Sequence, residues 1–166
     1  MTWIRQKKKF SRPRKLFDKV RIEEENKLVS KYGLKSKKEI WKAEAAVERL
    51  RNIAKKLITA EADKQEEFFN KLRKMGFKAD RIADVLELNK EDWLGRRLQS
   101  ILISKNLAKP KEARQLIAHK HVLVDEKKVN IPSYMVSVEE ESQIRIDRKT
   151  KEMIAHEKKS EEKQDE

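Results

Sequence analysis

The sequence predicts an α+β chain: a helical N-terminal domain, then a small unit of two short helices packed on a short antiparallel sheet. Three observations predict it. From Ile40 the apolar residues Ala43, Val47, Leu50, Ala54 and Leu57 follow at steps of 3, 4, 3, 4 and 3, the period of a helix with one buried face. From Val122 the pattern changes to short β-branched runs divided by polar turns and a proline, as in strands. Charge also divides the C-terminal unit. Trp93 to His121 holds seven basic residues against Glu112 alone, whereas Val122 to Asp147 holds three basic and six acidic. Positive charge gathered on one helical pair makes an anion-binding face, and the large anion it suits is nucleic acid.

Residues 1–21 read as a basic arm with nine basic residues and Asp18 as its one acid. Its Arg5, Lys7, Lys8, Lys9, Arg12, Arg14 and Lys15 suit phosphates, and the interleaved Trp3, Phe10 and Phe17 suit stacking on exposed bases. A solvating tail or localisation signal has no use for the aromatics, so RNA contact is the preferred reading. Residues 22–92 read as a helical scaffold, near charge balance with 17 basic and 15 acidic residues. Its first helix runs from Ile22 to Tyr32 and stops at Gly33, which tolerates positive φ. Ser36 and Glu39 form an S-x-x-E capping box for the second, which carries the apolar stripe. Off the stripe, Lys42, Arg49, Arg51, Lys55 and Lys56 read mainly as a solvated face, with partial phosphate contact left open. Asp63 and Glu66 cap a third helix, which turns Phe69, Leu72 and Met75 inward and closes at Gly76. Asp80 opens a short fourth with Ile82, Val85 and Leu86.

Residues 93–147 form the second unit. Asn89 N-caps a helix with Glu91 and Asp92 in its first turn, where negative charge suits the dipole. That helix buries Leu94, Leu98, Ile101 and Leu102 and leaves Arg96, Arg97 and Lys105 pointing elsewhere. Pro110 fits the first position of the next; Ala113, Leu116 and Ile117 pack inward there, with Lys111, Arg114 and Gln115 toward the other side. Val122 to Val124, a polar turn at Asp125 to Lys127, and Lys128 to Ile131 predict a hairpin, which Pro132 ends. Met135 to Val138 and Gln143 to Ile146 add strands, with Glu139 to Glu141 as a solvated turn. Residues 148–166, with six basic and six acidic residues, form a charged tail that is either a lone exposed helix or disordered.

The bulk composition excludes several classes. The 42 Lys and Arg against 29 Asp and Glu give +13, and charged residues outnumber hydrophobic ones, 43% to 37%, so a large self-sufficient core is not expected. With no cysteine there is no disulfide, thiolate nucleophile or cysteine-held zinc. No apolar run approaches the roughly 18 residues of a membrane span, and the N-terminus lacks a secretory apolar region. A soluble intracellular protein with a polyanionic partner is expected. His119 and His121, two apart with no third ligand, suit packing or phosphate contact better than a metal. Acid pairs, nucleophile motifs and phosphate-cradling glycine loops are absent, so neither an enzyme nor a cofactor is expected. Action at anionic membranes calls for a long helix with a basic polar face; the helix after Ser36 instead sets Glu39, Glu44 and Glu48 beside its lysines.

The order R-R-L-x-x-I, K-x-x-x-A-R-Q-L-I-x-H-x-H-V-x-V, V-x-I-P-S-Y-x-V and I-x-I, from Arg96 to Ile146, resembles the domain named after small-subunit ribosomal protein four. Upstream, RIEEENKLVSKYGLKSKKEIW, Arg21 to Trp41, resembles the N-terminal domain of the archaeal and eukaryotic branch of that family. The match spans roughly residues 5 to 147. The resemblance implies a cytoplasmic, ribosomal protein that binds small-subunit ribosomal RNA first and nucleates assembly of the subunit body. It implies a place near the messenger entry channel beside small-subunit proteins three and five, and an influence on decoding accuracy. The family's RNA-facing surface falls on Arg96, Arg97, Lys105, Lys109, Lys111, Arg114, Gln115, His119, Lys120 and His121, joined by the arm from Arg5 to Lys15. A free RNA chaperone using the same domain is the alternative, though it would not be expected to carry the 21–41 match. Three departures stand out: Lys120 replaces a usual glycine, Glu126-Lys127 a usual Asn-Gly turn, and Glu140-Glu141 a usual Gly-Asp. A residue other than glycine in a left-handed turn costs about 1 kcal/mol, which the fold tolerates.

Overall fold

The structure, a computed structural model, describes residues 9–147. Arg5, Lys7 and Lys8 of the arm and the whole tail from Arg148 lie outside the described residues. Helix α1 (Lys19–Tyr32) begins earlier than its apolar pattern indicates and takes in the last three residues assigned to the arm. It stops at Gly33, whose φ of 60° is left-handed and whose N–H bonds the carbonyl of Val29. A buried carboxylate fixes α1 against α2 (Lys37–Leu57). Glu25 accepts from Arg21 Nη1 at 2.6 Å and Trp41 Nε1 at 2.9 Å, with Lys37 Nζ 3.4 Å away. Burial pushes this carboxyl up, but the hydrogen bonds from Trp41 and Arg21 outweigh it and hold its pKa below the ordinary value.

On α2, Ile40, Ala43, Val47 and Ala54 are buried as the stripe predicts, with Leu50 and Leu57 half-buried. Its expected capping box does not form. The Ser36 side chain bonds no helix N–H, and Glu39 accepts from the Lys35 N–H at 3.3 Å and is otherwise drawn away from the helix start. Helices α3 (Ala62–Lys74), α4 (Ile82–Glu87) and α5 (Lys90–Gly95) complete the N-terminal part. Both α4 and α5 pack on α2, and Val47, Ala54, Leu72, Phe77 and Val85 close one core. Trp93 stacks on Phe77, centroids 5.8 Å apart and planes 17° from parallel. Leu94 joins Leu28, Leu34, Ile40 and Ala43 in a second core.

The single helix expected from Asn89 through Leu102 is two, α5 and α6 (Leu98–Ser104), broken at Arg96-Arg97. There the backbone turns extended, with Arg97 at φ −77° and ψ 146°, and pairs with the chain around Met135. Leu98 N–H donates to Tyr134 O at 2.8 Å and Val136 N–H to Arg96 O at 3.2 Å. Helix α7 (Pro110–Ala118) packs on α6. Strands β1 (Val122–Val124), β2 (Lys127–Lys128) and β3 (Arg145–Ile146) form an antiparallel sheet ordered β2-β1-β3. The hairpin turn lies one residue earlier than expected: Val124 pairs with Lys127, and Asp125 and Glu126 take φ of 47° and 64°, the two left-handed positions of a type I′ turn.

Met135 to Val138 is not a sheet strand. Met135 makes the isolated bridge to Arg97, and Val138–Ser142 is a short helix, α8, where a solvated turn is expected from the acidic run. Its cause is a second S-x-x-E box. Ser137 Oγ accepts from Glu140 N–H at 3.2 Å, and the Glu140 carboxylate accepts from Ser137 N–H at 2.8 Å. One core, including Leu98, Leu102, Ala113, Ile117, Val122, Val136 and Ile144, holds α6, α7 and the sheet together.

Candidate RNA interface

The helix break sets the two arginines of the R-R pair on inward paths. Arg96 donates from Nε to Met75 O at 2.9 Å, from Nη2 to Val136 O at 3.0 Å, and from Nη1 to Glu141 at 2.8 Å. It thereby ties the end of α3 to the segment before α8. Gly76 leaves it room: a Cβ there would lie 2.5 Å from the Arg96 guanidinium. Arg97 is buried, and its Nη2 donates to Glu39 Oε2 at 2.5 Å. Arg114 Nη1 approaches the other oxygen of the same carboxylate at 3.1 Å. Burial raises the Glu39 pKa, but the Arg97 hydrogen bond and the charges of Arg97 and Arg114 prevail and hold it below the ordinary value. Of the residues expected to face RNA, Arg96 and Arg97 therefore serve first as clamps between the two halves of the chain.

A third clamp is Gln99. Its side-chain amide nitrogen lies 2.9 Å from the Tyr32 carbonyl, 2.9 Å from that of Gly33 and 3.0 Å from that of Pro110. The amide so joins the C-terminus of α1 to the N-terminus of α7. Gly33 is needed twice at this contact, for its positive φ and because a Cβ would stand 2.4 Å from the Pro110 carbonyl oxygen.

Most of the remaining expected positions fall on the outside. Lys109 and Lys111 at the start of α7, Gln115 on its outer side, and His119 and Lys120 in the turn beyond it are exposed. Arg114, on the same helix, is half-buried. Backbone hydrogen bonds define the turn. Lys120 takes φ 63°, Lys120 N–H donates to Ile117 O at 3.0 Å, and His121 N–H donates to Leu116 O at 2.9 Å. The His119 and His121 rings lie 6.2 Å apart, with His121 half-buried. Lys105 is exposed but bonds the Glu141 carbonyl. On the described part of the arm, Lys9, Arg12, Arg14 and Lys15 are exposed. Its backbone is held to the helices by Arg49, which donates to Lys9 O at 3.2 Å, and by Arg21, which donates to Lys15 O at 2.9 Å. Phe10, expected to be available to bases, packs on Trp41 at 6.1 Å. Phe17 is 91% exposed.

Residues 96–142 match the family model described as S4 domain. Small ribosomal subunit protein uS4 of Methanosphaera stadtmanae is 41% identical over 145 residues, covering 83% of this chain and 80% of the relative. The protein of the same name from Methanothermobacter thermautotrophicus is 40% identical over 145 residues, covering 83% and 85%. That from Methanococcus aeolicus is 46% identical over 132 residues, covering 75% of each chain. The chain belongs to the uS4 family. Aligned lengths of this size exceed the S4 domain, so the likeness to uS4 proteins takes in the N-terminal helices as well.

Sequence reasoning misses three residues of this architecture. Glu39 carries a signal, but for a different role, since S-x-x-E marks a helix start. Gln99 falls on a helix face and looks solvent-facing until α1 is known to pass over it. Lys42 is grouped with the solvated face of α2, yet it lines a cleft with Arg97 and Arg114.

Proposed function

We propose that the chain is a structural, non-catalytic component of the small ribosomal subunit that binds its ribosomal RNA early and nucleates assembly of the subunit body. The observation that carries this reading is the exposed row of Lys109, Lys111, Gln115, His119 and Lys120 along α7 and the turn after it. The acidic residues Glu139, Glu140 and Glu141 sit in a separate helix, and Glu140 and Glu141 are drawn inward by Tyr134 and Arg96. Cations on a rigid helix-turn edge clamp phosphates of a folded RNA by shape, without reading its sequence. The exposed Lys9, Arg12, Arg14 and Lys15, with Arg5, Lys7 and Lys8 before them, extend the cationic surface along the arm. In this reading the protein works in the cytoplasm, on the ribosome, near the messenger entry channel beside small-subunit proteins three and five, and contributes to decoding accuracy.

The test is sedimentation of a native lysate in moderately high salt with this chain followed across the gradient. Stoichiometric co-migration with small subunits supports the reading. Migration as free protein, or with large subunits, overturns it in favour of a free RNA chaperone.

A further inference from the structure

Between α2, the α5–α6 junction and α7 lies an open cavity of about 270 Å³. That is somewhat below the ~300–1,000 Å³ of sites for drug-sized ligands. Three cations line it, Lys42, Arg97 and Arg114, against the single carboxylate of Glu39, and Trp93 and Pro132 supply apolar wall. Glu39 is already engaged by both arginines, so the excess of positive charge is left for a ligand. Arg97 brings a buried charge to the cavity wall. It is 4% exposed, and its Nε is buried and makes no hydrogen bond. The Nε of Arg21 and of Arg51 are buried without a partner as well, so it is the net charge of the wall, two cations in excess of Glu39, that marks the cavity.

We propose that this cavity is a nucleotide-binding site of the RNA interface: one unpaired nucleotide of the bound RNA enters it, with its phosphate on Lys42 and Arg114 and its base against Trp93 and Pro132. The inference rests on the RNA-binding reading above and deepens it. The site lies at the junction of the two halves of the chain, so seating a nucleotide there reads their relative placement as well as the charge of the α7 edge. An anionic phosphate is drawn by the cations. A planar base gains from the apolar wall. Of the lining residues, Lys42 and Ser133 are the exposed ones and so form the solvent-facing rim.

The experiment measures binding of a small-subunit ribosomal RNA fragment to the full chain and to two rim variants, Lys42→Ala and Ser133→Trp, across a salt series. Lys42→Ala is expected to reduce the salt slope by about one ion contact, ~0.7–0.9. Ser133→Trp, which plugs the mouth, is expected to weaken binding by about tenfold, the order of one lost stacked base. The chain has no cysteine, so Ser133→Cys places a single thiol at the rim. Carrying an aryl azide, it should cross-link to one nucleotide position, whereas Glu66→Cys on α3, similarly labelled, should not. Wild-type binding with both rim variants unchanged and no discrete cross-link overturns the cavity site and leaves the RNA reading intact. A reduced slope in Lys42→Ala with unaltered affinity in Ser133→Trp overturns it too, since the phosphate contact would then be at the rim alone. Suppression of the cross-link by excess nucleoside monophosphate, but not by inorganic phosphate, supports a site for the nucleotide unit. Suppression by phosphate alone overturns the base contact. Failure of the wild type to bind the RNA overturns the reading on which the inference stands.

Discussion

Glu39 and Arg97 meet at 2.5 Å across 58 positions of sequence, the carboxylate reaching from the first turn of α2 to the residue before α6. Both side chains are largely buried, 17% and 5% exposed, so the pair has given up its hydration and depends on its geometry. The two partners are not equivalent. Without Arg97, Glu39 keeps Arg114 and the Lys35 N–H; without Glu39, Arg97 has no other side-chain acceptor among the described residues and is left as a buried charge. Glu39→Ala is therefore expected to lose about 3–5 kcal/mol of stability, and Arg97→Met, which retains the volume, clearly less. The double variant should recover much of the Glu39→Ala loss. Urea unfolding of the three chains checks this order. Equal losses in the two single variants would mean that the contact carries no asymmetry.

The same carboxylate predicts an acid response. The folded-state pKa of Glu39 is lower than its ordinary 4.5, so its contribution is fully present above the unfolded value and is lost as pH falls through the folded one. Thermal stability should change little through Glu39 between pH 7 and 5 and should drop below about pH 4.5. Glu39→Gln should flatten part of that drop, the remainder coming from Glu25, Glu91 and Glu140, whose pKa values are also lowered. A Glu39→Gln curve parallel to the wild type from pH 5 to 3 would remove Glu39 from the account.

What was legible in the sequence was local. The α2 stripe reads directly because Ile40, Ala43, Val47 and Ala54 face one core, and Gly33 and Gly76 mark helix ends because only their left-handed turns are cheap there. What was hidden depends on partners far along the chain. Two S-x-x-E boxes are present, but only Ser137 to Glu140 forms. At Ser36 the glutamate is claimed by arginines 58 and 75 residues away. Arg97 looks outward on a continuous helix and turns inward because the helix breaks to pair with Met135. The charge difference between the helices and the sheet was readable; which cations it leaves exposed was not.

Gly33 gives a sharper contrast than most loop glycines. Its positive φ and the 2.4 Å approach of the Pro110 carbonyl both oppose a side chain, so Gly33→Ala should cost more than the ~1 kcal/mol of the conformation alone. Gly95, at the end of α5, has nothing within 4 Å of a built Cβ. Gly95→Ala should be neutral or stabilising by up to ~1 kcal/mol, the helix-propensity difference. Melting temperatures of the two variants decide it; equal destabilisation would mean the α1–α7 contact is slack.

Lys120 and Glu126 hold left-handed turns without being glycine, at φ 63° and 64°. Their side chains are exposed, so glycine removes strain without leaving a cavity. Lys120→Gly and Glu126→Gly should each stabilise by a few tenths to about 1 kcal/mol, the relief of strain being partly offset by greater freedom of the unfolded chain. Chemical denaturation reads the shift. A loss in either variant would assign that side chain a contact worth more than its backbone strain.

The salt dependence of RNA binding separates the exposed cations from the clamping ones. Lys111 and Lys120 lie open on α7 and its turn, and neutralising one phosphate each contributes ~0.7–0.9 to the slope of log K against log salt. Lys111→Ala with Lys120→Ala is expected to lower that slope by about two contacts while leaving the unfolding free energy within ~0.5 kcal/mol of wild type. Arg96→Ala should do the reverse. It removes the ties to Met75, Val136 and Glu141, so stability falls first, and the salt slope measured on the folded fraction stays close to wild type. Filter binding of a small-subunit RNA fragment between 50 and 200 mM salt, with unfolding measured in parallel, gives both numbers. An unchanged slope in the lysine pair would take the α7 edge out of the interface; a slope loss in Arg96→Ala without destabilisation would return that arginine to it.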